Sequence, residues 1–198
     1  MIALRATHLT GHILIQSETK IIVHQSSNLK DVLLIAPEIE IRDNVVGNFQ
    51  AVATKKIVIG SNVQLNYPSA LVISEKQKIV QEGGTNQISE QNAIVIDENS
   101  SIKGSVVYLG QEKHNNYKAQ IELKENSTIY GELYCNQNVE LQGNVYGTVY
   151  ANNFIANQAG SIYQNHIYNG TIMVNELSQE YIGLMFNDSR KEILKWLY

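Results

Sequence analysis

The chain has 198 residues, 43% of them apolar and 17% charged, with a net charge of −4, enough for one domain with a sizeable core. Lys and Arg never run longer than two, which argues against the concentrated basic surface that nucleic acid requires. No apolar run approaches the roughly 20 residues of a membrane helix, and a single cysteine excludes an internal disulfide framework.

In chain order, residues 1–20 alternate weakly (Leu9, Ile13, Ile15) and read as an opening coil. The opening Met1-Ile-Ala-Leu-Arg lacks the basic-then-apolar form of a signal peptide, so membrane contact is expected only through a segment outside this chain. From Ile21 to Pro68 the sequence divides into blocks of six whose first and third residues are apolar or small and whose fifth and sixth are mostly polar. Three blocks make eighteen, and at that period Ile21, Ile39 and Ile57 align, as do Val23, Ile41 and Ile59. The first and third side chains of a strand point the same way, so the pattern predicts apolar columns built by stacking one turn of chain on the next. This predicts an all-β fold, a single-stranded parallel β-helix (β-solenoid) of about 18 residues per three-faced coil. The block-final residues Ser26, Asn44, Asn62, Asn126 and Asn144 suit corners, because Asn tolerates left-handed backbone and bonds locally.

Between 75 and 92 the hexad fades, and a protruding excursion is predicted there. The pattern resumes at Ile94-Val-Ile-Asp-Glu-Asn-Ser-Ser-Ile-Lys-Gly, matched by Ile121-Glu-Leu-Lys-Glu-Asn-Ser-Thr-Ile-Tyr-Gly at an offset of twenty-seven. That offset is one coil plus a second excursion near 110–120. The solenoid is thus predicted over 1–174 and a helical cap over 175–198. There Ser189-Arg-Lys-Glu192 forms a capping box ahead of Ile193, Leu194, Trp196 and Leu197.

The segment Val139-Glu-Leu-Gln-Gly-Asn-Val-Tyr-Gly-Thr-Val-Tyr-Ala, with Ile102-Lys-Gly-Ser-Val106 and Ile129-Tyr-Gly-Glu-Leu133, resembles bactofilins, the polymer-forming cytoskeletal proteins of bacteria. The likeness covers roughly 94–172. It implies a right-handed three-faced β-helix, assembly through coil ends, no nucleotide, and a place at the bacterial membrane or, with an upstream export signal, in the envelope. The left-handed hexapeptide fold of acyltransferases wants a small residue fifth in each block, where this chain has Asp43, Phe49, Lys55, Ser61 and Tyr67. The two excursions and the terminal helix depart from the bactofilin pattern.

Candidate chemistry is sparse, and no catalytic residue, metal or cofactor is assigned. Glu122 and Glu140 share a phase one coil apart, a carboxylate spacing that retaining glycosidases use; a solvated face with Lys124 beside Glu122 explains them equally. His8 and His12 share a strand face without a third ligand. Cys135 falls in an inward phase and reads as a small hydrophobe. Tyr130, Tyr134, Tyr146 and Tyr150 are predicted to face outward as a glycan-stacking or protein-binding ladder, or as packing that shields the coils. Leu34, Val52 and Ala70 form an outward apolar strip that something must cover. The functional expectation is a non-catalytic scaffold whose partner is itself or another envelope or scaffold protein. The alternatives are a polysaccharide-binding or carbohydrate-active envelope protein, or an adhesin-like stalk.

Overall fold

A computed structural model describes residues 1–75, 93–111, 116–175, 177, 181 and 183. These residues carry thirteen strands and no helix: β1 (Ile2–Leu4), β2 (His8–Gln16), β3 (Lys20–Val23), β4 (Asn28–Ile41), β5 (Val46–Ile59), β6 (Gln64–Ser74), β7 (Ala93–Ile96), β8 (Ser101–Leu109), β9 (Ile121–Leu123), β10 (Thr128–Leu141), β11 (Asn144–Gln158), β12 (Ser161–Gln164) and β13 (Thr171–Met173). The helix expected over the last residues, and most of the two expected excursions, lie outside the described residues.

The eighteen-residue period is realised as register. Ile21 pairs with Ile39, Ile39 with Ile57, Ile57 with Ile94, Ile94 with Ile121, and Ile121 with Val139, all in parallel strands. Every one of these side chains is 1% exposed or less. A second inward column runs beside it through Val23, Ile41, Ile59, Ile96, Leu123 and Leu141. Adjacent strands lie about 4.8 Å apart, so β-branched side chains stack on one another with few voids. Burying each is worth about 1.5–3 kcal/mol before chain entropy is subtracted.

The expected β-solenoid with a C-terminal helix is corrected by how the pairing closes. β5 pairs β6, β6 pairs β8, β8 pairs β10, β10 pairs β9, β9 pairs β7, and β7 returns to β5. This is a closed six-strand parallel barrel, with β4 and β11 extending it on either side and β1, β2, β3, β12 and β13 attached beyond them. The hexads report which side chains turn inward and how far apart stacked residues lie, but not how the hydrogen bonding closes. Two strands of 14 residues, β5 and β10, decide the outcome: the first part of each belongs to one run of pairing and the last part to another, which joins the two runs into a ring.

Corners follow from local chemistry. Asn44, Asn62, Asn99 and Asn126 all adopt φ between 58° and 59°, left-handed backbone that Asn tolerates better than most residues. Asn144 instead opens β11, paired to Thr128 and Thr171. Behind the corners runs a serine ladder. Ser127 Oγ donates to the Asp97 carbonyl at 2.6 Å and accepts from the Ser100 amide at 3.0 Å, while Ser100 Oγ donates to the Gly60 carbonyl at 2.8 Å. These hydroxyls satisfy backbone groups that would otherwise be buried without partners.

Candidate functional site

Leu34 does not belong to a surface strip; it is 0% exposed and part of the core. The physical reason is one extra residue. Lys30 pairs with Asn48 at the expected offset, but Asp31, at φ 56°, bulges out, so Val32 pairs with Phe49 and Leu34 with Ala51. Pro37 lies at the compensating shift, and Glu38 again pairs with Lys56. A strict period places Leu34 opposite Val52; the bulge moves Ile35 there instead. Ala70 likewise pairs with Gln50, not Val52.

The outward row that does form runs Ile35, Val52, Val72, Val107, Tyr134, Tyr150. The tyrosine ladder and the apolar strip, separate features in the sequence, are therefore one continuous row. Tyr134 and Tyr150 pack with ring centroids 6.2 Å apart, and Tyr150 is 42% exposed. The neighbouring pair, Tyr130 and Tyr146, meets edge-to-face at 5.2 Å, with Lys103 Nζ 5.9 Å from the Tyr130 centroid. Such edge-to-face contacts are what cross-strand packing favours.

Between the tyrosine pairs lies a row of glycines that the sequence repeats made visible. Gly104, Gly131 and Gly147 are in register and have φ of 145°, 146° and 151°. A Cβ on any of them would fall against the carbonyl oxygen of the preceding strand: Ser69, Gly104 and Gly131 respectively. The backbone turns a corner here with no room for a side chain.

Glu122 and Glu140 are register partners, but both are engaged. Glu122 is ion-paired to Lys124 at 3.1 Å. Glu140, 6% exposed, accepts from Gln142 Nε2 at 2.8 Å and from Asn157 Nδ2 at 2.7 Å. Burial works against the Lys124 ammonium, yet the hydrogen bond and charge of Glu122, with Glu140 and Asp97 beyond, hold its pKa above the usual value. Cys135 is 1% exposed with Sγ 3.6 Å from the Asn138 carbonyl; burial pushes its thiol up to about 12, against the Gln137 backbone. His8 and His12 are exposed, His24 accepts a hydrogen bond from Arg5, and no group of three metal-ligating side chains occurs among the described residues.

A buried amide cluster at the far corner has no counterpart in the hexad pattern. Asn138 Nδ2 donates to the carbonyls of Asn116 and Lys118, Gln137 Nε2 donates to that of Gln111, and Gln120 Oε1 accepts from the Asn138 amide. An open groove of about 540 Å³ at the first corner is lined by His8, Ser26, Asn28, Lys30, Asn44 and Asn66. Several of its walls already have structural duties: Asn44 holds a left-handed turn, and Ser26 Oγ accepts from the Ala6 amide.

No family model, no curated protein and no solved structure matches this chain.

Proposed function

We propose that this chain is a non-catalytic structural protein that associates, with copies of itself or with another strand-edged protein, through the two open ends of its strand stack. One observation carries the reading: the apolar rows are complete in the middle and unfinished at both ends. The row through Leu34, Ala51, Leu71, Val106 and Leu133 is 0% exposed at every residue. Its terminal members, Ile15 on β2 and Val149 on β11, are only partly buried. Leu9, Ile13, Ala151 and Phe154 are in the same state. β2 pairs only with β4, and no described strand lies on the outer side of 147–154, between the segments that β13 and β12 cover. Beyond β11 the described surface adds Ile162, Tyr163, Ile172 and Val174, each at least 40% exposed.

An edge with unsatisfied backbone groups and apolar side chains on one face is a template for strand addition. Ile15 and Val149 occupy one row, so a second molecule added in parallel continues the core without a break. The resemblance of Ile102–Val106, Ile129–Leu133 and Val145–Val149 to the bactofilin repeat supports the same reading. Sedimentation velocity over a wide dilution series tests it. Oligomers that grow with concentration are expected, abolished by Val149→Lys or Ile15→Lys with the folded signal retained. A wild-type chain that stays monomeric throughout would overturn it.

A polysaccharide-binding reading rests on the outward tyrosines. The 64° angle between Tyr130 and Tyr146 leaves them packed on each other more than laid out as a flat sugar platform. Tyr150, the most exposed of the four, is the residue to test, and a glycan array that Tyr150→Ala leaves unchanged removes this alternative.

A further inference from the structure

The glycine corner is already occupied. Tyr181 lays its ring over Gly131, with Cε2 2.9 Å from where a Cβ on that glycine would stand. Its hydroxyl lies 3.0 Å from Ser105 Oγ and 3.4 Å from the Gly104 carbonyl oxygen. Tyr67 closes one wall edge-on, its ring centroid 6.1 Å from that of Tyr181 at 64°. Tyr67 is there because β6 carries extra residues: Leu65 pairs with Ile102 and Ser69 with Gly104, so Asn66, Tyr67 and Pro68 loop out opposite Lys103 alone. Two positions on, Gly183 passes so close to Glu132 that a Cβ would meet its Oε1 at 2.6 Å.

Each contact demands a residue type. The ring needs a floor without side chains, the hydroxyl needs Ser105, and the close pass over Glu132 needs a glycine. We propose that this corner is a docking slot for a Tyr-x-Gly segment, filled in the isolated chain by Tyr181 and Gly183 and able to take the same segment from a separate polypeptide. The slot lies on the side of the strand stack, so it offers a contact independent of the open ends. Ser105 sets the preference for Tyr over Phe, since the hydroxyl would otherwise leave water for an apolar corner without a partner.

The test uses the full chain carrying Tyr181→Ala and a labelled peptide of residues 177–187, followed by fluorescence anisotropy. The peptide is expected to bind this variant at least tenfold more tightly than wild type, whose slot is filled. A peptide with Phe at position 181 is expected to bind about two- to tenfold more weakly, the range of one net hydrogen bond. Adding Tyr67→Ala should abolish binding. Equal binding to wild type and Tyr181→Ala, or none to a Tyr181→Ala chain with native circular dichroism, would overturn the proposal. If Tyr181→Ala does not fold, chymotrypsin decides. Cleavage after Tyr181 should be several-fold faster in Ser105→Ala than in wild type, and equal rates would refute the slot.

Discussion

A single methyl group on Gly131 probes the corner that organises the middle of the molecule. Two costs add in Gly131→Ala. The backbone sits at φ 146°, a region essentially confined to glycine, where another residue costs about 1–3 kcal/mol. The new Cβ would also collide with the Gly104 carbonyl oxygen, so β8 and β10 must part locally. Losing one or two ladder hydrogen bonds adds about 0.5–1.5 kcal/mol each. The expected total is about 2–5 kcal/mol. At about 2–4 °C per kcal/mol for a chain of this size, Tm should fall by about 4–20 °C. Gly160 is the control. It has φ 79°, and a methyl group added there would meet nothing within 4 Å, so Gly160→Ala should cost about 1–2 kcal/mol from backbone strain alone. Thermal melts followed by circular dichroism measure both. A Gly131→Ala loss no larger than that of Gly160→Ala would refute the steric argument.

Cys135 gives a pH prediction. Its folded pKa of about 12 exceeds the ordinary 9.0, so its contribution to stability is complete below pH 9 and is lost as pH rises toward 12. Chemical denaturation of wild type should decline more steeply than that of Cys135→Ala across this window, by up to about 1.4 kcal/mol per pH unit; parallel declines would contradict the assignment. Asn126→Ala places a side chain without local hydrogen bonding at φ 58° and should cost about 1–2 kcal/mol, while Asn126→Gly should be close to neutral in the same denaturant assay. Ser127→Ala removes the donor to the Asp97 carbonyl and the acceptor of the Ser100 amide, and about 2–4 kcal/mol of stability should go with them.

What the sequence could reveal was inward phase and stacking distance. Ile21, Ile39 and Ile57 sit in one column because a buried strand face tolerates little else, and that pressure shows directly as a period. The Asn corners were legible for an equally local reason, the left-handed backbone. Closure was not, because hydrogen-bond connectivity between β5, β7, β9 and β10 depends on long-range pairing that no hexad encodes. Leu34 shows how a single residue defeats a periodic argument: Asp31 supplies an extra position that carries no hydrophobic signature, and every side chain up to Pro37 shifts by one. The glycine row was visible as a repeat, but its partner Tyr181 lies beyond the repeats, where nothing in the local pattern ties it to Gly131.

The central claim is that the unfinished rows at β2 and β11 are contact surfaces, and amide hydrogen exchange as a function of protein concentration tests it most directly. On going from dilute to concentrated protein, amides of residues 13–16 and 148–151 should slow by about tenfold or more, the equivalent of about 1.4 kcal/mol, while those of the central strands stay constant. Exchange at both end strands that is independent of concentration would contradict it.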